Sequence, residues 1–186
     1  MKLKKLISAL LILTVTLGII YIGSLSLLRL LYPLEYEEYV EVYSAENNLS
    51  PSLVYAVIKC ESGFDNEAVS NVGATGLMQI MPDTFDWIKT KTGYTEDYSD
   101  ATDPETSIKF GCFLYGYLLQ KYGRVQEALA AYHAGTGNVA KWLKDDRYSD
   151  DGKTLHTIPF PTTSKYVKKV MLTENIYQKL YFRKEQ

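Results

Sequence analysis

The chemically capable side chains of this chain are few, and one carboxyl stands out. Glu61 lies where an apolar run that includes Leu53, Val54, Val57 and Ile58 stops, and Ser62 and Gly63 follow at once. Ser50-Pro51 is a helix-opening pair, a capping hydroxyl before a proline whose missing N–H costs nothing at the first helical position. Gly63 is a natural terminator, so the spacing puts Glu61 in the last turn. An anion is disfavoured there, because the helix dipole is negative at that end, and an adjoining apolar wall disfavours ionisation further. Both effects favour a carboxyl that keeps its proton at neutral pH, as a general acid for cleaving a glycosidic bond must. The plainer reading is a solvated glutamate at a helix end, and position alone favours it.

Other candidates are scattered. After a polar loop from Phe64 to Ala74, the segment GATGLMQIMP (73–82) is a glycine turn able to bring backbone close to a ligand. Taken alone, Leu77 and Met78 read as core and Gln79 as a loop amide. His133 sits in a glycine-broken turn, and Tyr166 reads as a core aromatic on the last helix. Asp65, Glu67, Asp83 and Asp86 each have a plain role as loop or helix-start residues, which leaves Glu61 as the sole nominated acid. Cys60 and Cys112 are too few for a disulfide framework and are not spaced as a metal site. They are either one disulfide or two buried thiols, and no bridge forms if their Cα atoms lie beyond about 7 Å. No histidine adjoins either, so thiol nucleophile chemistry is not expected.

The elements that must hold these groups read as helices. MKLKK precedes an uncharged, mostly apolar run from Leu6 to Leu28, long enough as a helix to cross a bilayer core of roughly 30 Å. A cleaved signal peptide, with an apolar region of about 7–15 residues and a small-residue cleavage site, fits less well. The positive-inside rule keeps the lysines cytosolic and places the chain beyond Arg29 outside. Tyr36, Tyr39, Val40 and Tyr43, interleaved with Glu35, Glu37, Glu38 and Glu41, predict an amphipathic helix closed by Asn47 and Asn48. Further helices are predicted from Pro82 through Trp87, from Asp103-Pro104 to Tyr122, from Val125 to Tyr132, from Val139 to Leu143, and from Thr162 or Thr163 onward. Residues 145–156 form a polar loop, a candidate flap over a cleft. No stretch alternates as a strand does, so the outer part reads as one all-α domain.

Charge narrows the partners. Beyond Arg29 the chain holds sixteen basic residues against twenty-two acidic ones, a balance of −6. Such a surface offers no footprint for nucleic acid or anionic lipid.

Taken together, Glu61-Ser62, GATGLMQIMP, Asp103-Pro104 with Ile108 and Gly111, Ala131-Tyr132-His133-Ala134-Gly135, and IPFPTTSKYV (158–167) resemble, in order and spacing, the soluble lytic transglycosylase domain, related to goose-type lysozyme. The resemblance covers roughly Leu49 to Val170. It implies a lysozyme-like helical domain with a glycan-binding cleft, a peptidoglycan glycan substrate and no cofactor. It also implies that Glu61 is the acid and then the base. Ser62 and Gln79 become substrate-contacting or site-ordering residues, Met78 a cleft wall, Tyr132 part of the cleft, and Tyr166 a hydrogen-bond partner of the Glu61 carboxyl. One carboxyl suffices where the substrate supplies the nucleophile, its muramyl 6-hydroxyl closing an anhydro ring. A hydrolytic lysozyme-type muramidase, or a catalytically impaired wall-binding or assembly module, are the alternatives; a larger envelope complex is a candidate recruiting partner in any of these readings.

Two positions depart from the family pattern. His133 stands where asparagine is usual, adding bulk and a group titratable near neutrality. Thr162 replaces a usual glutamate, keeping a helix-capping oxygen but removing a charge near Tyr166. The expected organisation is a cytosolic basic stub (1–5), a transmembrane helix (6–31), a linking amphipathic helix (32–48) and a catalytic domain (49–186) at the outer face of the cell membrane.

Overall fold

The computed structural model describes residues 2–182. Met1 of the basic stub and residues 183–186 of the expected catalytic domain lie outside the described residues, as do the side chains of Lys2 and Lys5.

The chain divides into two compact units, 1–34 and 35–186. The first is one helix, α1 (Lys2–Leu31). Within it Leu10–Leu31 is an unburied apolar stretch of 22 residues, about 33 Å at ~1.5 Å per residue and so enough for a bilayer core. Three of its hydroxyls turn back to the helix: Thr14 donates to the Leu11 carbonyl, Thr16 to Ile12 and Ser24 to Tyr21. That removes the cost of carrying free donors into an apolar medium.

The second unit contains α2 (Glu37–Glu46), α3 (Pro51–Glu61), α4 (Pro82–Thr92), a 3-10 turn (Tyr98–Thr102), α5 (Pro104–Tyr122), α6 (Val125–Ala134), α7 (Thr136–Trp142) and α8 (Pro161–Tyr181). Among the described residues no strand forms; only the bridges Val69–Thr75 and Thr75–Ile80 occur, inside the loop between α3 and α4. The unit is all-α.

Four helices open on proline, α3, α4 and α5 as expected and α8 in addition, but their caps differ. Asp103 accepts the Thr106 N–H at 2.8 Å, a regular N-cap. Ser50 does not cap α3, because its hydroxyl turns to Glu174 on α8 and receives that of Ser52. The last helix begins at Pro161 with Phe160 as its N-cap residue, so Thr162 lies inside the first turn and supplies no capping oxygen.

Two packing layers meet at the site. α8 runs along α3, with Tyr55 and Tyr177 stacked at 5.4 Å between ring centroids. α5 packs against α2 and α6, and its Phe110 stacks on Phe85 of α4 at 4.0 Å. The 64–81 loop is pressed onto α5. Gly76 has φ 80°, and a Cβ there would lie 2.7 Å from the Ser107 hydroxyl; a Cβ at Gly111 would lie 2.7 Å from that of Met78. Only glycine permits either approach.

Candidate active site

Glu61 is the last residue of α3 and is partly exposed. The chain turns away from it through Gly63, whose φ is 66° and whose N–H returns to the Ile58 carbonyl. Ser62 fixes that turn. Its hydroxyl donates to the Ile58 carbonyl at 3.3 Å and accepts the Phe64 N–H at 3.2 Å. Burial pushes the Glu61 carboxyl up to about 7, against the opposing pull of the Tyr166 hydroxyl and the Lys169 ammonium. Burial penalises the charged form, so the group is balanced between acid and base near neutrality. None of the groups that shift it is a carboxylate.

Tyr166 projects from α8 toward this carboxyl. It is buried, and its hydroxyl is held far above the ordinary tyrosine range by burial first, then by the nearby Glu61 and Tyr132. Its hydroxyl interacts with Glu61 without reaching full hydrogen-bond geometry, and among the described residues it has no other partner. His133 covers the ring of Tyr166 at 4.6 Å between centroids, and its Nδ1 lies 3.1 Å from Thr163 Oγ1. Burial lowers the imidazole below its ordinary range, so His133 is neutral at neutral pH.

From α6 Tyr132 donates to the Met78 carbonyl at 2.6 Å. Its hydroxyl too is pushed up by burial and by Glu61. Met78 itself is wholly buried, with its N–H bonded to Ser107. The side chain packs where Gly111 leaves room, so it offers no cleft wall and only its carbonyl reaches the site. Gln79, at φ 49°, turns its amide inward to donate to the Ala68 and Gly76 carbonyls. It orders the loop rather than pointing a donor outward.

Both cysteines are free thiols. Cys60 donates to Thr173 on α8 at 3.7 Å, whereas Cys112 is buried in α5, so the disulfide alternative does not form.

A cavity of about 370 Å³ adjoins the site through Tyr132. Trp87, Tyr117, Asp83, Lys121 and Thr136 also line it, and Glu61 does not. Trp87 and Tyr117 meet edge to face at 4.9 Å, giving it an aromatic wall beside the polar side chains of Asp83, Lys121 and Thr136. The 145–156 loop, expected as a flap, is anchored: Leu155 is buried, its N–H donates to Glu127 Oε1 at 2.8 Å, and its carbonyl accepts from Gln126 at 2.7 Å. Sequence reasoning missed Lys169, Thr163 and Glu127. The first two lie on α8 three residues either side of Tyr166, and helical spacing alone could have found them.

Comparisons with known proteins agree with this architecture. The family described as the Transglycosylase SLT domain matches residues 38–155. The soluble lytic murein transglycosylase of Salmonella typhimurium is 34% identical over 159 residues, covering 83% of this chain and 24% of that protein. A transglycosylase of Enterobacteria phage PRD1 is 41% identical over 125 residues, 67% of this chain and 43% of its own length. The membrane-bound lytic murein transglycosylase C of Edwardsiella ictaluri is 27% identical over 173 residues, 78% of this chain and 47% of its own. Among solved structures, an inactive mutant of the lytic transglycosylase Slt from Pseudomonas aeruginosa superposes with a TM-score of 0.76 at 31% identity, covering 85% of this chain and 26% of that one. The 70 kDa soluble lytic transglycosylase of Escherichia coli gives 0.72 at 30%, covering 82% and 25%. The chain thus spans about a quarter of the soluble relatives' length. With the family match covering well over half of its residues and the helical fold shared, the chain belongs to the transglycosylase SLT domain family.

Proposed function

We propose that this chain is a peptidoglycan lytic transglycosylase held at the membrane by α1, cleaving the β-1,4 bond between N-acetylmuramic acid and N-acetylglucosamine. The observation that carries this reading is Glu61: one carboxyl, pushed to about 7, facing a tyrosine, with no second carboxylate acting on it among the described residues. Glycosidases that hydrolyse usually place two carboxyls across the bond. A lone group near neutrality suits a cycle in which it first gives a proton to the leaving oxygen. It then takes one from the muramyl 6-hydroxyl as that oxygen closes on the anomeric carbon. The inactive Pseudomonas mutant replaces a glutamate by glutamine, and Glu61→Gln makes the same change here.

In this reading Tyr166 orients the carboxyl and Tyr132, through Met78, holds the loop. Ser62 and Gln79 order the site, His133 faces the glycan, and the Trp87–Tyr117 cavity receives sugar rings beyond the cleaved bond. Residues 1–5 are cytosolic, 6–31 span the membrane, 32–48 link and 49–186 act on the wall outside, with recruitment by an envelope complex open to test. Mass spectrometry of the muropeptides released by the full chain tests the chemistry. Anhydro-muramyl ends, lighter by one water than ordinary reducing ends, are expected, and their absence from Glu61→Gln digests assigns them to this carboxyl. Ordinary reducing ends make the protein a hydrolase; binding to insoluble wall without release of fragments makes it a wall-binding module.

A further inference from the structure

Residues Tyr166, Lys169, Val170 and Thr173 recur on α8 at helical spacing, and Tyr166, Lys169 and Thr173 meet the end of α3 at Glu61 and Cys60. Val170 is fully buried. Thr173 accepts the Cys60 thiol, and the ammonium of Lys169 donates to the Cys60 carbonyl at 3.2 Å. The last carbonyls of a helix have no partner within it, and a cation there also meets the negative end of the dipole. This lysine therefore occupies an orphan acceptor one residue before the acid.

We propose that Lys169 is a positioning residue of the acid/base cycle: its ammonium, tethered to the Cys60 carbonyl, sets how readily Glu61 releases and regains its proton. The inference rests on the acid/base reading of Glu61 for its consequence, though not for its geometry. Each half of the cycle asks the opposite of the carboxyl. It must lose its proton as the C1–O4 bond breaks, and as carboxylate it must take the proton of the 6-hydroxyl as the C1–O6 bond forms, which returns it to its starting state.

The groups facing Glu61 divide cleanly. Tyr166 and Tyr132 are neutral phenols, Cys60 is a thiol, and His133 behind Tyr166 is neutral. Among the described residues Lys169 is the one cation acting on the carboxyl, and no ion pair joins the two. A direct pair would hold the carboxylate ionised, and a wholly apolar wall would hold it protonated. The tether to a main-chain oxygen keeps the charge near without completing the pair.

The test is a titration of the Glu61 side-chain carbon by ¹³C NMR. It uses the full chain in detergent micelles with labelled glutamate, the signal being assigned by its loss in Glu61→Gln. Lys169→Met is expected to raise the titration midpoint by about half to one unit, a partly solvated share of what an opposite charge contributes at close range. Lys169→Arg should restore the wild-type curve, and 0.5 M salt should narrow the gap. The alkaline limb of kcat/KM should move with the midpoint. Coincident curves for wild type and Lys169→Met overturn the proposal, whatever the activity. A shifted midpoint in a protein that releases no anhydro-muramyl product upholds the proposal for the Lys169–Glu61 pair and refutes the transglycosylase reading separately.

Discussion

The imidazole of His133 lies over the ring of Tyr166, 4.6 Å between centroids, while its Nδ1 meets the hydroxyl of buried Thr163. That contact ties α6 to the first turn of α8 beside Tyr166.

His133 should make stability sensitive to acid. Its folded pKa is lowered by burial, so below the unfolded value of roughly 6.5 the unfolded chain binds more protons. This contribution is therefore present above about 6.5 and lost as pH falls toward the folded value. Urea denaturation should show His133→Asn gaining on wild type between pH 7.5 and 5; a constant gap between the two would count against it.

Glu61 acts in the opposite direction. Its folded pKa of about 7 exceeds its ordinary 4.5, so the folded state binds the extra proton between these values and stability falls as pH rises through the window. Glu61→Gln should be more stable than wild type at pH 8 by about 1–3 kcal/mol, the shift converted and discounted for partial exposure, and close to it at pH 4.5. Paired melts at the two pH values check this. On the proposed acid/base reading, wild-type activity should fall above pH 7 as Glu61 ionises.

Tyr132→Phe removes the donor from the carbonyl of buried Met78. A stability loss of about 1–2 kcal/mol is expected for the unpaired acceptor, measurable by chemical denaturation. Infrared or NMR reporters on the 76–80 turn should show it loosened.

Glu127 has no solvent exposure and holds the Leu155 N–H with one oxygen, while among the described residues its other oxygen has no partner. Glu127→Ala should cost about 2–4 kcal/mol and speed amide exchange at Leu155. Glu127→Gln keeps the acceptor and should retain most of the protection; equal exchange in both variants would show that the charge, not the acceptor, anchors the loop.

Much of the architecture could be read from local pattern. The Leu6–Leu28 run, the Asp103 cap, the proline starts and the glycine after Glu61 each act over one or two turns, and a helix's ends and apolar face depend on that range alone. The same locality put Glu61 at the wrong end of a helix for an anion. It could not say whether an apolar neighbourhood would arrive there, because α8 lies about a hundred residues away.

What only the tertiary structure decided is which side chains meet once the helices are in register. Packing of α8 on α3 brought Tyr166 and Lys169 to the acid, drew the Ser50 hydroxyl from its cap to Glu174 and gave Cys60 a threonine instead of a disulfide. Close approach of the loop to α5 buried Met78 against Gly111 and turned Gln79 inward. Residue types determined the supply of helices and a lone acid. Interhelical contact determined the balance of burial, phenol and ammonium around that acid, because desolvation and charge act through space rather than along the chain.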